Sequence, residues 1–129
     1  MTKQFKVFVY GTLLVGESNH HVAAPFLSKV QEGTIKGLMY NVGEYPAVVL
    51  NENGIEIKGE WFTVDQIGLE RMDWLEDYEE NGTDNDYERV WVKDCYNNNE
   101  GYVYVYTEDK ARLLELINSG SWREFRHKS

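Results

Sequence analysis

The chain has 129 residues, 42% hydrophobic and 14% aromatic, so it can bury the core of one domain and is expected to fold as a single domain over residues 1–129. Its 22 acidic and 13 basic residues give a net charge of −9, which argues against nucleic acids and anionic membranes as partners and favours a small molecule. No apolar run approaches the roughly 18 residues of a transmembrane helix, no apolar signal segment follows Met1, and a single cysteine, Cys95, indicates a cytoplasmic protein without disulfides.

The first predicted element is a buried strand over residues 5–10, in which β-branched and aromatic residues alternate. Gly11 ends the strand, Thr12 offers a hydroxyl to nearby backbone, and Leu13 and Leu14 turn back toward the core. Consecutive N–H groups in such a turn form a concavity that suits a carboxylate or a phosphate. An ordinary strand end with a glycine explains the same residues, so both interpretations stay open.

Three more strands are predicted before the first long helix, over residues 35–42, 47–50 and 55–62. A short helix or an irregular loop is expected near residues 22–27. Pro46 is excluded from a central ladder position because proline has no N–H group, and residues 51–54 carry a strong turn signal.

A helix is predicted to begin at a capping box formed by Thr63 and Gln66. Its main apolar stripe is expected to be Val64, Ile67, Leu75 and Tyr78, where the helix ends. Leu69 and Met72 precede Glu76 by seven and four residues and therefore share its face of the helix. The spacing places Glu76 at an apolar border.

Acidic residues crowd the end of this helix: Asp73, Glu76, Asp77, Glu79 and Glu80. Like charges three or four residues apart, and apolar neighbours such as Leu69 and Met72, both raise the pKa of a carboxyl group. Such a group can act as an acid and a base near neutral pH. A solvated acidic helix end is the other interpretation of this pattern.

The last third of the chain is predicted to hold a polar loop over residues 79–86 with a turn at 81–82, then a hairpin of strands 87–96 and 101–106. One face of the second strand carries Tyr102, Tyr104 and Tyr106. A C-terminal helix is expected over residues 108–117, with Ala111, Leu114 and Ile117 packed against the sheet.

Neither a metal centre nor a serine triad is indicated by the remaining residues. The histidines His20, His21 and His127 lack metal-ligand spacing, and no Gly-x-Ser-x-Gly nucleophile turn is present. Cys95 has no histidine partner and is interpreted as a chance semi-exposed thiol. We therefore expect no cofactor and no metal.

Several motifs follow one another along nearly the whole chain: Val9-Tyr10-Gly11-Thr12-Leu13, Glu44-Tyr45-Pro46-Ala47, Met72-Asp73-Trp74-Leu75-Glu76, Tyr87-Glu88-Arg89 and Tyr104. In these residues the chain resembles the gamma-glutamylcyclotransferase-like family, most closely its small bacterial and gamma-glutamylamine cyclotransferase branch. The resemblance implies an α+β fold, a small mixed β-barrel flanked by helices, with a cavity at the first-strand turn. The loop over residues 79–86 is longer than in relatives and is expected to border the amine side of that cavity.

The resemblance also implies roles for individual residues. Tyr10, Gly11, Thr12 and Leu13 would hold the α-carboxylate of a γ-glutamyl substrate, and Glu76 would be the general acid and base. The implied enzyme cleaves an amide by cyclisation and releases 5-oxoproline. A noncatalytic small-ligand binding module is the alternative, while a phosphate site at Gly11 is disfavoured because the lysine of a phosphate-binding loop is absent.

Overall fold

The computed structural model describes residues 3–80, 82 and 85–127. Its strands form one curled sheet, a half-barrel, and the α+β class predicted from the sequence is confirmed. The strands are β1 Gln4–Val9, β2 Leu27–Asn41, β3 Pro46–Leu50, β4 Ile55–Asp65, β5 Glu88–Lys93, β6 Glu100–Val105 and β7 Glu115–Leu116. The helices are α1 His20–Ala23, α2 Gln66–Leu75, α3 Glu108–Ala111 and α4 Trp122–His127, with a 3-10 turn over Ala24–Phe26.

Strand β1 lies near the middle of the sheet, whose order is β3-β2-β4-β1-β6-β5, with β7 paired to β2. It runs antiparallel to β4 and parallel to β6. Val7 and Val9 point into one hydrophobic cluster and Phe8 into another, so both faces of the strand are buried. The predicted first strand is confirmed, and it lies between β4 and β6 in the sheet.

Strand β2 begins at Leu27, well before the predicted start at residue 35. Its first half is largely exposed, so it lacks the apolar alternation by which strands are recognised in a sequence. The strands predicted at 47–50 and 55–62 are confirmed, and β4 continues to Asp65. The predicted hairpin is confirmed as β5 and β6. Tyr104 and Val105, consecutive residues of β6, lie in different hydrophobic clusters, so both faces of this strand are buried.

Helix α2 begins at Gln66, and the predicted capping box is wrong. Thr63 and Val64 belong to β4, where they pair with β1. Asp65 caps the helix instead, since its Oδ1 accepts a 2.8 Å hydrogen bond from the Gly68 N–H.

The predicted apolar stripe of α2 is confirmed for Leu75 and Tyr78, which pack against the hydrophobic core, and wrong for Ile67, and the predicted end of the helix is wrong. The buried residues are Gly68, Leu69 and Met72, whereas Ile67 is 54% exposed. The helix ends at Leu75, before Tyr78. The helix face that Glu76 was expected to share with Leu69 and Met72 is therefore the buried one.

The predicted C-terminal helix over 108–117 is wrong beyond Ala111, because only α3 is helical in this stretch and β7 follows it. Pairing with β2 breaks the helix: the Ile117 N–H donates a 2.7 Å hydrogen bond to the Met39 carbonyl. Ala111 and Ile117 are buried in different clusters, and Leu114 packs against the same cluster as Ala111.

Within the described ranges, no helix combines the length and apolarity needed to cross a membrane. Cys95 is an exposed free thiol. The turn predicted at 81–82 includes Asn81, which lies outside the described residues, as do Thr83 and Asp84 of the predicted loop.

Candidate active site

A cavity of about 230 Å³ opens where β1 ends. Tyr10, Gly11, Thr12 and Leu13 form part of its wall, and Glu76 from the end of α2 forms another part. These residues are far apart in the sequence, and their predicted meeting in one cavity is confirmed. Their roles toward a substrate stay predictions.

The carbonyl groups of the β1 turn are all bound within the protein. The Gly11 carbonyl accepts a hydrogen bond from the Leu14 N–H at 3.1 Å, and the Thr12 carbonyl accepts one from the Asn19 N–H at 2.8 Å. The Leu13 carbonyl accepts a hydrogen bond from the His20 Nδ1, at 2.9 Å. This arrangement keeps the turn in one conformation.

The N–H groups of the same turn are free by comparison. Those of Gly11, Thr12 and Leu13 donate no hydrogen bond to any described residue. Gly11 is required by close packing, since a Cβ atom there would lie 2.7 Å from Cδ and Cγ of Pro46. The turn therefore offers backbone donors beside a cavity, which is what an anion such as a carboxylate needs.

Helix α2 ends in a Schellman motif that holds the backbone of Glu76. The Asp77 N–H bonds to the Trp74 carbonyl and the Tyr78 N–H to the Asp73 carbonyl, at 3.2 and 2.9 Å. Asp77 has φ of 54°, the left-handed conformation in which glycine is common. Glu76 is thus the last residue before the chain turns away from the helix.

The Glu76 carboxyl group lines the cavity without a hydrogen bond to any described residue. Burial, and secondly the negative charge of Asp86, raise its pKa from 4.5 to about 8. The sequence predicts both causes but places the like charge on helix neighbours, and that placement is wrong. The charge belongs to Asp86, which lies in the same cavity wall.

Asp73, the nearest acidic helix neighbour before Glu76, is instead bound to two strands. Its Oδ2 accepts a 2.6 Å hydrogen bond from Nη1 of Arg89, and its Oδ1 accepts one of 2.6 Å from the Tyr104 hydroxyl. The Arg89 guanidinium lies 4.9 and 4.4 Å from the ring centres of Tyr78 and Tyr102. This cluster connects the end of α2 to β5 and β6.

The tyrosines around the cavity use their hydroxyl groups within the protein. Tyr10 donates to the Tyr104 carbonyl at 2.6 Å and accepts from the Val48 N–H, so its hydroxyl is already occupied. Tyr87 donates to the Pro46 carbonyl at 2.6 Å. Burial raises the pKa of the Tyr10, Tyr87 and Tyr104 hydroxyls, which therefore stay neutral. Of these side chains, the rings rather than the hydroxyls of Tyr10 and Tyr87 are available to a ligand.

Two polar residues of the cavity wall, Asn19 and Asp86, belong to none of the motifs found in the sequence. Asn19 lies in a polar segment that carries no motif, and its place in the wall follows only from the folding of residues 12–19. Asp86 closes the polar loop that was expected to border the cavity, but nothing in its local sequence separates it from neighbouring acids. In the part of the chain described, no group of three or more His, Cys, Asp or Glu residues is arranged to hold a metal ion.

The chain that forms this half-barrel matches a known family of enzymes. A family model described as "Gamma-glutamyl cyclotransferase, AIG2-like" matches residues 7–124. The chain belongs to this family of gamma-glutamylcyclotransferase-like enzymes. The resemblance noted from the sequence motifs is therefore confirmed.

Individual relatives agree with this assignment. The chain is 35% identical over 124 residues to the gamma-L-glutamyl-butirosin B gamma-glutamyl cyclotransferase of Niallia circulans, covering 93% of this chain and 76% of that protein. The crystal structure of YkqA from Bacillus subtilis superposes with a TM-score of 0.74 and 25% identity, over 96% of this chain and 41% of YkqA. An AIG2-like protein from Mus musculus, 21% identical, shares the fold with a TM-score of 0.73 over 89% of this chain and 86% of its own.

Proposed function

We propose that the protein is a cyclotransferase that acts on a γ-glutamyl amine or peptide and releases 5-oxoproline and the free amine. One observation carries the proposal: an unbonded carboxyl group, Glu76, with its pKa raised to about 8, lies in the same cavity as the free N–H groups of residues 11–13. The Glu76 carboxyl group is suited to moving protons near neutral pH. The N–H groups of residues 11–13 are suited to holding a carboxylate.

In the proposed reaction the α-carboxylate of the substrate binds to the N–H groups of residues 11–13. Glu76, ionised, takes a proton from the α-ammonium group, and the resulting amine attacks the γ-carbonyl carbon. A carbon–nitrogen bond forms and closes a five-membered ring, while the bond from the γ-carbon to the leaving nitrogen breaks. Glu76 returns its proton to that nitrogen, and the second proton that the ring nitrogen loses also passes to the released amine, which leaves as an ammonium ion. No water and no second reactant is consumed.

The pKa of Glu76 is matched to this task. The reference pKa of an α-amino group is near 8, so a carboxyl group of pKa about 8 exchanges a proton with it at little free-energy cost. Nucleophile and electrophile belong to one substrate molecule and need only be held in a curled conformation. The mechanism therefore needs neither a serine or cysteine nucleophile nor a metal ion.

A noncatalytic binding module on the same half-barrel is the alternative. The raised pKa of Glu76 favours catalysis, because it means that ionising this half-buried carboxyl group costs free energy of folding. A module that only bound ligand would not need a carboxyl group with a raised pKa at this position.

The exposed free thiol of Cys95 supports a reducing compartment, and we place the reaction in the cytoplasm.

A panel of γ-glutamyl amines and peptides, with 5-oxoproline detected by mass spectrometry, tests the proposal. Glu76→Gln should lower kcat by about 10² to 10⁴, the range typical of general acid–base groups, while substrate binding persists. Glu79→Gln is the matched control, since Glu79 is exposed and lies outside the cavity wall. A wild-type protein that binds these compounds but releases no 5-oxoproline would establish the binding module instead.

A further inference from the structure

Asn19 makes two contacts with Thr12 in the wall of the cavity. Its backbone N–H donates a 2.8 Å hydrogen bond to the Thr12 carbonyl, and its side-chain Nδ2 donates a 3.0 Å hydrogen bond to the Thr12 Oγ1. Both residues line the cavity. The side-chain contact is not needed to close the turn, because the backbone contact already does so.

The side-chain contact determines what the Thr12 hydroxyl can do. A hydroxyl group has one proton to donate and two lone pairs that accept, whereas an amide NH₂ group only donates. Since Oγ1 accepts from Asn19, the Thr12 proton is not used in that contact. No described residue accepts it either, so the hydroxyl proton is available beside the free N–H groups of residues 11–13.

The charge of the cavity makes such a donor important. None of the described residues that line it is a lysine or an arginine, whereas Glu76 and Asp86 are acidic. A substrate carboxylate must therefore be held by neutral donors against nearby negative charge. Hydrogen bonds to a charged group are stronger than those between neutral groups, so one further O–H donor has a large effect here.

We infer that Asn19 is a positioning residue for substrate recognition: its side-chain amide occupies a lone pair of the Thr12 hydroxyl and leaves the hydroxyl proton for the α-carboxylate. The inference rests on the proposed function for the identity of the carboxylate. Asn19 and Thr12 then act together, and they select a ligand with an α-carboxylate over the same ligand with an α-carboxamide.

Binding of two probes, 5-oxoproline and its α-carboxamide, tests the inference by calorimetry without requiring turnover. The wild type should prefer the carboxylate. Thr12→Val, which removes the hydroxyl at constant shape, should weaken 5-oxoproline binding by about 10-fold or more, and should affect the carboxamide less. Asn19→Ala should weaken 5-oxoproline binding several-fold, but should have no added effect in the Thr12→Val background, because it acts through that hydroxyl.

Asn19→Asp supplies a second and sharper variant. The aspartate keeps the size of the side chain but accepts the Thr12 proton instead of donating to Oγ1. The preference for the carboxylate over the carboxamide should fall by about 100-fold or more, from loss of the donor and from charge repulsion. Thermal unfolding of every variant shows that the affinities are those of folded protein.

Three results would overturn the inference: equal loss of both probes in Asn19→Ala, independent and multiplying effects of Asn19→Ala and Thr12→Val, or no binding of 5-oxoproline to the wild type. The proposed function is judged separately by release of 5-oxoproline from γ-glutamyl amines. A protein that shows the coupled carboxylate preference but no such release refutes the proposed function and retains the inference.

Discussion

The Tyr104 hydroxyl donates a 2.6 Å hydrogen bond to Oδ1 of Asp73, and this bond joins strand β6 to the last turn of helix α2. Asp73 precedes Glu76 by one helical turn, so the bond also holds the element that places Glu76 in the cavity. Arg89 binds the other oxygen of the same carboxylate. The motifs around Asp73, Arg89 and Tyr104 thus meet in one contact in the folded chain.

Tyr104→Phe should lower the free energy of unfolding by about 2 kcal/mol, the size expected for a hydrogen bond to a charged group. Tyr102→Phe is the control, because it removes a hydroxyl from the neighbouring β6 position while the ring against Arg89 remains. Urea unfolding of both variants measures the difference. Equal losses in the two variants would show that the bond to Asp73 contributes nothing of its own.

The raised pKa of Glu76 predicts a pH dependence of stability. Between pH 4.5 and about 8 the folded protein binds a proton that the unfolded chain has lost, so stability falls as the pH rises through this window and levels off above it. Glu76→Gln removes this contribution. Unfolding free energies measured across the window should therefore show wild type losing stability relative to Glu76→Gln, and parallel curves would contradict the raised pKa.

Asp86→Asn should lower the pKa of Glu76, because it removes the charge that adds to the effect of burial. The acid limb of the profile of kcat/KM against pH should move to lower pH, while burial keeps it above the ordinary range of a glutamate. Glu52→Gln, in an exposed turn, removes the same charge elsewhere and should leave the limb in place. An unchanged limb in Asp86→Asn would exclude Asp86 as a source of the shift.

Asp77→Gly should stabilise the protein by about 1 kcal/mol, since glycine adopts the left-handed conformation at φ 54° without the steric cost of a Cβ atom. Asp77→Ala keeps a Cβ atom but removes the carboxylate, and separates the backbone effect from the charge effect. Thermal unfolding of both variants is the measurement. Equal stabilities of the glycine and alanine variants would assign any gain to the lost charge.

Local patterns were enough to predict several elements and the buried helix face near Glu76. The alternation over residues 5–10 identified β1, and the spacing of Leu69 and Met72 placed Glu76 at a buried face, because burial repeats with the period of each element. The free-donor turn at Gly11 was likewise indicated by residue type. In each case the physical cause lies within about ten residues.

What the tertiary structure decided depends on pairing between distant segments. The sequence predicts Thr63 as a helix cap, but pairing of β4 with β1 holds it in a strand. Pairing of β7 with β2 likewise puts a strand where the sequence predicts the end of a C-terminal helix. Asp86 approaches Glu76, and Asn19 approaches Thr12, only because the curled sheet and the turn after β1 bring these segments to one cavity. Such contacts cost chain entropy that is recovered only when the whole sheet forms, so no local pattern contains them.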